Sequence, residues 1–155
     1  MSVVEGLMAA FATNDRINQY MVRGVPDAVW GAKQADGKGR SIAKIFAHMH
    51  NVRLMWLGSI EKGAALPAKL DGDEFPKEQV LAALDESRKA IGERLAAALE
   101  GDGRVKGFKP DAASFFAYLV AHDAHHRGQV ALQAKLLGHP LPKTVLFGLW
   151  EWGVR

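Results

Sequence analysis

The chain has 155 residues, enough for one domain with its own hydrophobic core. It contains no cysteine, which excludes a disulfide framework, a thiolate zinc knuckle and a cysteine nucleophile. Lys and Arg total 20 against 17 Asp and Glu, and the resulting +3 is too small and too evenly spread for a nucleic-acid surface. No apolar run approaches the roughly 18 residues of a membrane span. The opening MSVVEGLMAAFATNDR, with acidic Glu5 and Asp15, lacks the basic head of a signal peptide. The expectation is one soluble, cytoplasmic domain over residues 1–155, without nucleic-acid or membrane partners.

Residues 2–23 carry Val4, Leu7, Met8, Phe11, Ile17, Tyr20 and Met21, mostly at steps of three or four, which predicts an amphipathic helix. Ser2 caps it, and Gly24 and Pro26 end it. The connection 24–40 is long for a compact domain. Within it Pro26, Val29 and Trp30 suggest a plug or a short helical turn over one end of the core, with Trp30 placed to cover a pocket mouth. A second helix spans 41–60 and starts at Ser41. A third, headed by Pro76, spans 76–99. A fourth spans 111–137 and is closed by Gly138 and Pro140. A short last helix, 143–152, has Val145, Leu146, Leu149 and Trp150 on its apolar side. It either packs across the bundle or enters a dimer interface. The fold class is all-α, a four-helix bundle with a short C-terminal helix.

Five of the six histidines fall in AHMHN (47–51) and AHDAHH (121–126). Phe115, Leu119, His122, His126, Gln129, Gln133 and Leu136 share one helical face, apolar at its ends and polar in the middle. Ile45, His48, Val52 and Met55 form a comparable seam on the second helix. At about 100° per residue His122 and His126 lie roughly 40° apart and can converge, whereas His50 points roughly 200° away from His48. Three neutral imidazoles without partners would cost about 1–3 kcal/mol each. One divalent metal satisfies all three, and a three-nitrogen site suits zinc, nickel, iron or cobalt with positions left for water or substrate.

Two alternatives fit less well. His122 and His126 have the spacing of a zinc-protease helix, but Asp123 stands where that motif needs the longer Glu, and only His139 follows. Di-iron bundles need several inward carboxylates, and Gln129 and Gln133 occupy those places.

SIAKIFAHM with His48, then HDAHHRGQ with His122 and His126, and the closing LPKTVLFGLW resemble the DinB-like (DinB/YfiT-related) metalloprotein superfamily in order and spacing over nearly the whole chain. The resemblance implies a four-helix bundle with one divalent metal, zinc or nickel, on His48, His122 and His126. It also implies transferase or isomerase chemistry with a low-molecular-weight thiol and a small-molecule electrophile, and a homodimer. Members without established activity leave a non-catalytic, structural or regulatory metal site as the alternative. A pocket near Trp30 or the 63–75 loop would favour turnover, and a fourth ligand from His50 or His125 would favour the inert site. His125, Asp123 and Gln129 are the candidate catalytic residues. His125, or Asp123 through water, would shuttle a proton, and Gln129 would touch the metal water or bridge helices. Asp123 can instead orient a ligand imidazole on a neighbouring helix. Arg127 is read as a surface charge and Gly128 as a close helix approach. Phe46, Met49, Trp56, Phe115 and Phe116 are read as core.

Overall fold

Local capping chemistry sets the helix starts in the computed structural model, which describes residues 1–34 and 36–155. In α1 (Val3–Gly24) the Ser2 hydroxyl accepts from the Glu5 N–H while the Glu5 carboxylate accepts from the Ser2 N–H, a complete capping box. Ser41 caps α3 (Ile42–Ile60) by accepting from the Lys44 N–H, and Asp111 caps α5 (Ala112–Leu136) by accepting from the Ser114 N–H. Pro76 precedes α4 (Lys77–Glu100). Gly138, at φ +81°, terminates α5 while the His139 N–H reaches back to the Ala134 carbonyl. Two short helices, α2 (Asp27–Trp30) and α6 (Lys143–Gly148), complete the set, and no sheet forms among the described residues.

The four long helices form the bundle. Both α1 and α3 pack against α4 and α5, and α1 and α3 themselves lie across the diagonal. That arrangement explains the long 25–41 connection, which must cross an end of the bundle. Its α2 is the expected helical turn, with Val29 buried. Trp30, however, does not cover a pocket mouth. Its ring stacks on Phe46 at 5.9 Å and its indole N–H donates to the Phe75 carbonyl at 2.6 Å, so it belongs to the core wall. Of the residues read as core, Phe46, Met49 and Phe115 are fully buried, while Trp56 and Phe116 are half-buried against the same interior. The two histidine seams end sooner than their periodicity implies, since Met55 and Leu136 are exposed.

The final helix stops at Gly148, four residues short of the expectation. Beyond it the chain turns back. Arg155 lies over the Tyr20 ring at 3.7 Å and donates to the Gly148 carbonyl, and Tyr20 donates to the Thr144 carbonyl at 3.1 Å. Val145 packs against Gly24, where a Cβ would come within 2.7 Å of the valine methyls. The C-terminal segment therefore packs on α1.

The interior has three layers. Met21, Phe46, Met49, Leu84 and Val130 lie in one apolar cluster, and Phe11, Leu54, Leu57, Ile91 and Phe115 in the other. Between them, every long helix contributes polar groups: Asn14, Asp15 and Asn18 from α1, His50 and Arg53 from α3, Ser87 from α4, and Asp123 and His126 from α5. This middle layer positions the site.

Candidate metal centre

One half of the middle layer is a closed ion network. Arg53, 2% exposed, donates from Nη1 to Asp15 Oδ1 at 2.8 Å and to the Leu84 carbonyl at 3.0 Å, and from Nη2 to Asp123 Oδ2 at 2.9 Å. Asp123 Oδ2 also accepts from the Asn14 and Asn18 side-chain amides at 2.7 and 2.8 Å. Burial alone would raise the Asp123 pKa, but the Arg53 charge and the converging donors hold it well below the usual carboxylate range. Burial likewise works against the Arg53 cation, and Asp123 and Asp15 outweigh it.

Beside this network three imidazoles converge. His48 from α3 and His122 and His126 from α5 each present one ring nitrogen within 4.8 Å of the others. The ring centroids are 4.4 Å apart for His122 and His126, 4.8 Å for His48 and His126, and 5.5 Å for His48 and His122. The two α5 rings bring Nε2 to within 3.1 Å of Nε2. That approach takes a proton or a cation between the two nitrogens. Nitrogens sharing one zinc or nickel ion at about 2.1 Å stand roughly 3 to 3.4 Å apart, so the His122–His126 pair has the spacing of two ligands of one divalent ion, with the His48 nitrogen within 4.8 Å as the third candidate. His126 Nδ1 is 2.8 Å from Gln129 Oε1, a pairing in which Nδ1–H donates and Nε2 keeps its lone pair for an ion.

Electrostatics favour the neutral, ligating form. Burial, the Arg40 charge and the two facing imidazoles push the His48 pKa down to about 4. Burial also lowers that of His126 against the opposing Gln129 hydrogen bond, with His122, His125 and Arg40 adding to the fall.

A family model described as the DinB superfamily matches residues 11–130. The chain belongs to the DinB superfamily. Neither the curated proteins nor the solved structures give a match. In this DinB-superfamily bundle the α3 and α5 motifs meet at one point in the middle layer.

The remaining candidates divide. Gln129 spans two histidines, accepting from His126 and placing Nε2 3.0 Å from His125 Nε2. His125 is exposed, and its ring lies 5.0 Å from that of His126. Asp123 is not placed as a proton shuttle, because it is buried and held ionised by Arg53. Its other oxygen, Oδ1, lies 3.9 Å from Nδ1 of His122, on its own helix rather than a neighbouring one. His50 is buried with Nδ1 2.8 Å from the Ala83 carbonyl and Nε2 2.9 Å from the Ala68 carbonyl, so neither nitrogen is free. Arg127 is not a surface charge. It is half-buried, and its Nη1 donates to the side-chain carbonyls of Asn14 and Asn18. Gly128 has no close helix beside it, since a Cβ there would meet nothing within 4 Å.

Sequence reasoning missed Arg53, Asp15, Asn14 and Asn18. The signal was present. Positions 14, 15 and 18 follow Phe11 at helical spacing on the core side of α1, and Arg53 interrupts an apolar helix.

Two cavities adjoin the cluster. One, about 310 Å³, is lined by His48, Asn51, Leu70, Asp71, Gly72 and Phe75, placing it against the 63–75 loop. The other, about 300 Å³, is lined by Gln129, Gln133, Ile45 and Leu132. Arg40 lines both, and its carbonyl is fixed by the Gln133 amide at 2.8 Å.

Proposed function

We propose that His48, His122 and His126 hold one divalent ion, zinc or nickel, and that the protein transfers a low-molecular-weight thiol to a small electrophile. The observation that carries the metal reading is the 3.1 Å Nε2–Nε2 approach, with Gln129 fixing the His126 tautomer. Turnover rather than an inert site is supported by the donor count. His50 spends both nitrogens on carbonyls and His125 faces Gln129, so among the described residues neither supplies a fourth ligand. Cavities open on either side of Arg40 give small molecules access.

An ion bound there supplies a +2 charge that favours the thiolate form of a small thiol near neutral pH. The chain's own residues orient and exchange protons. Gln129 locks the His126 ring, and Asp123 lies beside His122. Arg40 offers a cation to an anionic group on either reactant. His125, exposed at the edge of the cluster, takes the thiol proton as the S–H bond breaks and the sulfur–carbon bond forms. The leaving group departs with its bonding electrons. Without a cysteine of its own, the chain depends on an external sulfur.

The test supplies apo and metal-loaded protein with several low-molecular-weight thiols and a generic electrophile such as monochlorobimane, and follows loss of free thiol. Metal-dependent turnover that disappears in His48→Ala supports the transferase. No turnover with any thiol, together with no thiol-dependent change in the spectrum of cobalt-substituted protein, overturns it in favour of a non-catalytic metal protein.

A further inference from the structure

The face of α5 opposite the histidines forms a third cavity that the proposed chemistry does not use. Ala124, Gly128 and Ala131 lie roughly 180° to 240° around the helix from His122. The turning C-terminal segment brings Leu149, Trp150 and Trp152 over them, enclosing about 440 Å³. That volume is in the range of small-molecule sites. Its lining is mainly apolar, and Trp150 is 81% exposed.

Two details separate this cavity from an ordinary surface dip. Gly128 sits inside a 25-residue helix, where glycine is a weaker helix former than alanine, and no neighbouring group needs the space. Its missing side chain deepens the floor of the groove. Arg127 is the one charged residue of the lining. It has no carboxylate partner among the described residues, and only its Nη1 is used, by the two asparagines of α1. The acid nearest in sequence on the covering segment, Glu151, is paired with Arg155 at 2.9 Å.

From these observations we infer that the groove between α5 and the C-terminal turn binds a small molecule with a flat apolar body and one anionic head, such as an aromatic carboxylate. The tryptophans and the floor over Gly128 take the body, and the unused edge of the Arg127 guanidinium takes the head. A second copy of this chain fits the groove less well. A two-fold interface would bring Arg127 against Arg127 with no acid in either lining.

The probe is anilinonaphthalene sulfonate, an aromatic anion whose fluorescence rises in an apolar site, titrated into the full-length protein. The expected result is one dye per chain, displaced by phenylbutyrate at a concentration about tenfold lower than by its neutral amide. Gly128→Leu fills the floor at a position where the backbone has room, and it abolishes binding while the melting temperature holds or rises. Arg127→Met, checked for folding by circular dichroism, removes the preference for carboxylate over amide. Equal displacement by acid and amide overturns the inference, as does undiminished dye binding in Gly128→Leu. So does a dimer in sedimentation that Gly128→Leu converts to monomer, because a second copy then fills the groove.

Discussion

Asp123 and His122 are neighbours in sequence, yet they belong to polar regions of opposite character. Around Asp123 opposite charges meet: Arg53 bridges two carboxylates, the asparagine amides donate to Asp123, and no buried side-chain nitrogen or oxygen among the described residues lacks a partner. Around His122 three like groups face one another. Protonating them would crowd positive charge beside Arg40, which helps keep the His48 pKa at about 4. A closed network of opposite charges serves the fold, whereas convergent imidazoles can coordinate a cation. The same contrast separates His50, spent on two carbonyls, from His48 only two residues away.

The largest expected effect comes from breaking the closed region. Arg53→Met leaves Asp15 and Asp123 buried without their cation and should cost about 3–5 kcal/mol in urea denaturation. A loss under about 1 kcal/mol would mean that the network is not closed. The open region should respond to ligand instead. Zinc added to chelator-stripped protein at a free concentration about 100-fold above its Kd should stabilise the fold by about 2.7 kcal/mol, and His126→Ala should abolish that gain. Equal stabilisation of the variant would place the ion elsewhere.

Much of the contrast could be read in the sequence, and the reason is geometric. Regular three- and four-residue steps define helix faces, so the bundle and the convergence of His122 with His126 follow from spacing alone. The fate of a polar residue on such a face depends on what the opposite helix supplies. Asp123 has the same helical credentials as His122. Only the approach of Arg53 from α3, 70 residues earlier in the chain, makes it a charge partner. Arg127 points away from the histidine face, which fits either solvent or a neighbouring helix, and Asn14 and Asn18 decide the matter. Trp30 could not be placed from sequence for a similar reason, because its partners Phe46 and Phe75 lie beyond the connection that carries it.

Two smaller effects sharpen the comparison. The His48 pKa is lowered on folding from 6.5 to about 4, so the unfolded chain binds a proton there that the folded chain does not between those values. Apo-protein stability attributable to this group is therefore complete above about pH 6.5 and falls as the pH drops toward 4. Urea midpoints across that window should decline less steeply in His48→Phe than in the wild type, and identical slopes would contradict the assignment. The smallest change is Gly128→Ala, which should stabilise the protein by up to about 1 kcal/mol because the added methyl meets nothing within 4 Å. Destabilisation in thermal melts would reveal a contact at that position.

Metal content tests the central claim most directly. Protein purified without a polyhistidine tag, reconstituted with zinc or nickel and desalted, should carry close to one ion per chain by elemental analysis. His126→Ala, folded by circular dichroism, should carry close to none. An unchanged metal content in that variant, or none in the reconstituted wild type, would contradict a metal centre on His48, His122 and His126.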